Sequence, residues 1–198
     1  MHSPPVRRHD TQGLLAALLW CLCACLLPAG AAHAHGVELA TLQTSRAEGN
    51  LNLEFVARLS LPRTVEDAMR NGVPVYFVAE AQLLRNRWYW RDERVSRVVR
   101  SWRVAYQPLT GAWRVGLGGL NQSYASLGEA ITAVSRSSGW HLADLAQLDL
   151  DKGYYVEFSY RLDTSQLPGP MQFGLGGLGG QGEWGVGVAR VLKVQLGS

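Results

Sequence analysis

In the stretch GYYVEFSYRLD, Tyr154, Val156, Phe158, Tyr160 and Leu162 fall on every second position, with Glu157, Ser159 and Arg161 between them. Successive side chains of an extended strand point to opposite faces, so this spacing gives one apolar face and one wetted face. A helix would scatter the same residues around its circumference. The pattern recurs in NLNLEFVARLSL (Asn50–Leu61), where Leu51, Leu53 and Phe55 alternate with Asn52 and Glu54. VPVYFVAEAQLL is rich in β-branched and aromatic residues, and AYQPLTGAWRVGL sets a Pro108–Gly111 turn between two apolar runs, a hairpin signal.

Two short helices are expected between the strands. Thr64 can cap VEDAMRN with Asp67 at the third helical position, and Gly72 stands where the chain must leave the helix. SLGEAITAVSRSS is opened by Ser126 and Glu129 and closes near Gly139. No long strand-helix-strand alternation is present, which speaks against a parallel nucleotide-binding sheet. The expected class is mainly β (α+β): a single antiparallel-sheet or sandwich-like domain with two short helical inserts.

The first 34 residues read differently. Arg7 and Arg8 lie in a polar leader, followed by the apolar run Leu14–Leu27, a breaker at Pro28 and small residues up to Ala34. That order is the form of a secretory signal peptide. The run is also shorter than the ~20 residues that cross a bilayer, so no transmembrane span is expected in the mature chain. Cleavage after Ala34 removes all three cysteines and leaves residues 35–198 as one exported, periplasmic domain with a net charge of +2. The competing reading is a lipoprotein box at LCAC with Cys25 as the lipidated residue.

Between Arg85 and Arg103, RNRWYWRDERVSRVVRSWR holds seven arginines against Asp92 and Glu93, a local charge of +5. Interleaved with them are Trp88, Tyr89, Trp90 and Trp102. One reading is a cationic, aromatic-lined surface built from Arg85, Arg87, Trp88, Trp90, Arg91, Arg94, Arg97 and Arg100. Its partner would be an anionic envelope component or an envelope protein; nucleic acid is not expected for an exported chain. The other reading is a solvated hairpin whose guanidinium planes stack on tryptophans for packing. From about Val95 onward the segment is expected to be strand.

Other motifs carry less. Gly174, Gly176 and Gly179 spell G-x-G-x-x-G within the glycine-rich segment 174–187, but no helix follows to hold a pyrophosphate, so a loop or irregular edge strand is expected. Asp149 and Asp151 in DLDKG lack the further oxygen ligands of a calcium loop and read as a turn. No metal site and no cofactor are assigned on these grounds. After cleavage the histidines are His35 and His141, no cysteine remains, and no nucleophile elbow is present. His141 lies near Asp144 in GWHLADL. Catalysis by a carboxylate pair needs no local motif, and Glu54, Glu80 and Glu157 all stand in strand-like runs. An N-terminal His35 has an amine and imidazole suited to copper, with His141 the one further imidazole to complete such a site. A glycan hydrolase and a copper protein are therefore the alternatives to a binding module.

The strings PRTVEDAMRNGVPVYFVAEAQLLRNRWYWRDERV, WRVAYQPLTGAWRV, LNQSYASLGEAI and YYVEFSYRLDTSQLPGPMQ resemble, in matching order from about Leu51 to Phe173, the bacterial exported family known as domain of unknown function 4390. RWYWRDERV and YRLDTSQLPGPMQ are the distinctive parts. The resemblance implies no activity, cofactor or catalytic residue. It implies an envelope accessory role, since members are often encoded beside a membrane sensor kinase of the nitrogen-regulation type. The glycine-rich run departs from the polar, tryptophan-containing strand that members carry near their end. A non-enzymatic binding or interaction module of the envelope is the expectation. Mass spectrometry of protein recovered from the periplasm is predicted to show a chain beginning at His35; a retained leader or a lipid on Cys25 would contradict it.

Overall fold

The computed structural model describes residues 36–89, 91–166 and 186–196, all within one compact unit, His35–Ser198. The signal segment, His35, Trp90 and residues 174–185 of the glycine-rich segment lie outside the described residues. In chain order the elements are β1 (Gly36–Ala47), β2 (Asn50–Ser60), α1 (Arg63–Arg70), β3 (Val75–Arg85), β4 (Glu93–Gln107), β5 (Ala112–Leu117), β6 (Leu120–Tyr124), α2 (Leu127–Val134), β7 (Arg136–Asp144), β8 (Tyr154–Asp163) and β9 (Gly187–Val194). The strands form two antiparallel sheets, a narrow one ordered β1-β2-β7 and a wide one ordered β6-β5-β4-β3-β8-β9. The protein is mainly β with two short helices, as its alternation implies.

The alternation explains which faces meet. On β8, Tyr154, Val156, Phe158, Tyr160 and Leu162 are buried; on β2, Leu51, Leu53, Phe55 and Ala57 are buried. Phe55 projects from the narrow sheet into an aromatic cluster of the wide one, with ring centroids 5.0 Å from Phe158, 5.4 Å from Tyr160 and 6.3 Å from Trp102. Trp140 of β7 joins it at 6.4 Å. Tilted and edge-on contacts of this kind add to the burial of large apolar surfaces. The Tyr160 hydroxyl donates to the Val134 carbonyl at 2.9 Å and so ties the end of α2 to β8. Burial raises the phenol's pKa, so it remains a donor.

The turns follow their sequences closely. Thr110 and Gly111 N–H groups both donate to the Gln107 carbonyl, at 3.2 and 2.9 Å, and Gly111 has φ 65°, as a Pro-Leu-Thr-Gly turn requires. Lys152 N–H closes the Asp149 turn at 3.1 Å before β8. Ser126 caps α2 by accepting from the Glu129 N–H at 3.2 Å, while the Glu129 carboxylate reaches back to the Ala125 N–H.

Two helix ends differ from expectation. α1 starts one residue before Thr64, because the Pro62 carbonyl already accepts from Val65 and Glu66, and no side chain caps it. α2 stops at Val134 rather than near Gly139: the Ser135 carbonyl accepts from Ala57 N–H at 2.8 Å, and the chain from Arg136 pairs with β2. Tertiary pairing here outweighs the weak helical preference of Ser-Arg-Ser-Ser.

Phe55→Ala is predicted to destabilise the protein by about 3 to 5 kcal/mol, since a buried ring is replaced by a cavity shared by both sheets. Chemical denaturation checks it; a loss below about 1 kcal/mol would contradict the packing account.

Candidate functional site

The arginine-rich segment does not form one cationic face. Alternation along β4, together with a bulge opposite Leu83 and Leu84, divides its residues among a hairpin tip, the outer face of the wide sheet and the space between the sheets.

At the tip, between β3 and β4, Arg85 and Arg87 both clamp the Glu93 carboxylate. The Arg87 N–H donates to Asp92 Oδ1 at 3.0 Å, and the Tyr155 hydroxyl of β8 donates to Asp92 Oδ2 at 2.7 Å. Asn86 N–H donates to the Gly153 carbonyl at 3.0 Å, fastening the tip to the turn before β8. Held on this base, Trp88 is 92% exposed and Tyr89 69% exposed, with their rings edge-on at 4.9 Å. Arg91 and Arg94 are also exposed.

Arg97 points to the outer face of the wide sheet and holds Glu80 with two bonds, at 2.7 and 2.8 Å. Glu80 and Glu157 line one depression on that face, whereas Glu54 lines another, beside β7. The Arg97 guanidinium holds the Glu80 carboxyl below its ordinary pKa, the reverse of what a general acid needs. His141 Nε2 lies 3.0 Å from Asp144 Oδ1 on an exposed strand end, and Gln147 donates to the other Asp144 oxygen. Among the described residues no three His, Cys, Asp or Glu side chains converge as metal ligands.

Arg100 shares the inner side of β4 with Trp102 and Val104. Its guanidinium lies 5.1 Å from the Trp140 ring centroid and donates to the Ser137 hydroxyl, so it stacks on a tryptophan of the opposite sheet rather than on one from its own segment. Burial pushes its pKa down. Arg136, Ser137, Ser138 and Asn121 line the same cleft. Nothing in the segment itself marks these four; the available sign is Arg100, a charge on the face that Trp102 and Val104 otherwise make apolar.

Two packed antiparallel sheets with a braced arginine and aromatic hairpin define a two-layer β protein. The chain belongs to the family described as Domain of unknown function (DUF4390), which matches residues 34–189 and so runs from before β1 into β9. No curated protein and no solved structure matches it.

The tip's brace depends on pH in a defined sense. Asp92 is held below its ordinary pKa by the Tyr155 hydroxyl and then the Arg87 N–H, and Glu93 by Arg85 and then Arg87. Their contribution is present above the ordinary carboxylate values near ~4 and is lost as pH falls through the lowered ones. Tyr155 is pushed up to about 12, chiefly by Asp92, so its contribution holds below its ordinary value and disappears as pH rises toward 12. The Trp88 indole N–H resonance is predicted to keep its shift from about pH 5 to about pH 9 and to move only when acidification passes the lowered carboxylate values, below the ordinary ~4. A resonance that already titrates at or above the ordinary carboxylate values would contradict the brace.

Proposed function

We propose that this protein is an exported, periplasmic, non-enzymatic binding module of the cell envelope, and that the β3–β4 hairpin tip is its contact surface for an anionic envelope component. The carrying observation is the braced tip, on which Trp88 is 92% and Tyr89 69% exposed. Large rings are placed in water at a cost, and four backbone and side-chain contacts at their base hold them in place. A surface already ordered loses less conformational entropy when it binds. Trp and Tyr suit a boundary that is apolar on one side and wet on the other, and the exposed Arg91 and Arg94 beside them favour a negative partner. A phosphatidylglycerol-bearing membrane surface fits that chemistry best.

Several observations support this reading. The leader ahead of His35 has the order of an export signal. Among the described residues no helix is long and apolar enough to cross a membrane, so contact through the tip would be peripheral. Glu80, needed for a carboxylate pair with Glu157, is occupied by Arg97.

Co-sedimentation of the mature protein with vesicles tests the proposal. Binding is predicted to vesicles containing phosphatidylglycerol, to weaken with salt, and to fall at least about tenfold in Trp88→Ala/Tyr89→Ala and in Arg91→Gln/Arg94→Gln without loss of thermal stability. Equal binding by all variants, or no preference for anionic over neutral vesicles, would contradict it.

A further inference from the structure

The narrow sheet has three strands and the wide one six, so β5 and β6 extend beyond the cover of β7 and are met by α2 instead. Between the two covers a cleft of about 520 Å³ remains open. That volume lies in the range of small-molecule pockets. Its lining combines the apolar side chains of Trp102, Leu117 and Leu120 with the guanidinium groups of Arg100 and Arg136; Asn121 borders it, with its side chain turned over Gly116 on the opposite face of the sheet. A second depression of about 410 Å³ shares Arg136, Ser137 and Ser138 and is lined on the narrow-sheet side by Thr41, Gln43, Glu54 and Val56.

The two arginines of this cleft, Arg100 and Arg136, are not held in ion pairs among the described residues. No carboxylate lines the larger cleft, although Glu54 lines the depression that shares Arg136 with it. Every other arginine of the segment that is part-buried, Arg85 and Arg87, has Glu93. Taking a guanidinium partly out of water without a counter-charge costs free energy that stacking on Trp140 and one hydroxyl bond offset only in part. Its planar fork keeps further N–H donors for an oxyanion. β7 is also bulged here: Ser138 and Gly139 together oppose Glu54, with Gly139 at φ 57°, which turns Ser137 and Ser138 toward the cleft.

We propose that the cleft between the sheets binds a small amphiphilic anion, a phosphate or carboxylate on a short apolar body, with Arg100 and Arg136 holding the charged group and Trp102, Leu117 and Leu120 the apolar part. The site is separate from the hairpin tip: Arg100 lies seven residues along β4 from Glu93, or about 23 Å. Its success or failure is therefore independent of the contact surface proposed above.

Hexyl phosphate and hexanoate, used as monomers without vesicles, are the probes, with 1-hexanol and inorganic phosphate as the two halves of the ligand. Calorimetry and amide shifts at Ser137, Ser138 and Asn121 are predicted to show saturable binding of hexyl phosphate or hexanoate at least about tenfold tighter than of either half. Arg136→Gln and Arg100→Lys are each predicted to weaken it about tenfold or more, while Arg70→Gln on α1 leaves it unchanged. Arg136 is an exposed side chain, so its variant decides the matter even where Arg100→Lys folds poorly. Hexanol binding as tightly as hexyl phosphate, unchanged affinity in Arg136→Gln, or no saturable binding would overturn the proposal. Binding to anionic vesicles with no binding of the monomers would also overturn it, by assigning anion recognition to the membrane surface instead.

Discussion

The ring of Phe55 is the contact on which the two-sheet arrangement depends. It is the narrow sheet's central insertion into the wide one, touching Trp102, Phe158 and Tyr160 together, with Trp140 beside it. Because β2 is the middle strand of its sheet, fixing Phe55 fixes where β1 and β7 fall over the wide sheet. Arg46 of β1 then reaches the Leu196 carbonyl at 2.9 Å on one side, and Arg100 reaches Ser137 of β7 on the other. What the three strands leave uncovered, α2 and the cleft take up.

The same constraint distributes the arginines. A strand must send alternate residues to opposite faces, so a charged run on β4 cannot stay together. Arg97 goes outward to Glu80; Arg100 goes inward to Trp140 and Ser137. The residues between Arg85 and Glu93, freed from that alternation, form the tip, which that cross-strand pair braces at its base. The residues of this segment thus divide: Arg85, Arg87 and Arg97 are held by carboxylates, whereas Trp88, Tyr89, Arg91 and Arg94 face solvent.

How far the fold could be read depended on whether alternation was intact. β2 and β8 carry unbroken period-two patterns and behave accordingly. β1 is bulged between Leu39 and Thr41, and its apolar residues are only partly packed, so its pattern is weak. β7 is bulged twice against β2 and begins with Arg136, Ser137 and Ser138, residues that line a cleft rather than a core. The cleft itself was legible only as Arg100 among apolar neighbours of the same parity. Arg136, Ser138 and Asn121 come to it from other strands through long-range pairing, which no local spacing records. The carboxylate partner of Arg97 is likewise seventeen residues away, visible only once β3 and β4 are in register.

The contacts at its base require a hairpin tip that is already ordered in the free protein, with Trp88 and Tyr89 held in place. Backbone ¹⁵N relaxation of the free mature protein at near-neutral pH measures this directly. Order parameters for Trp88 and Tyr89 close to those of the flanking strands, about 0.8 or above, are the predicted result; values below about 0.6 would mean a mobile loop and contradict the account.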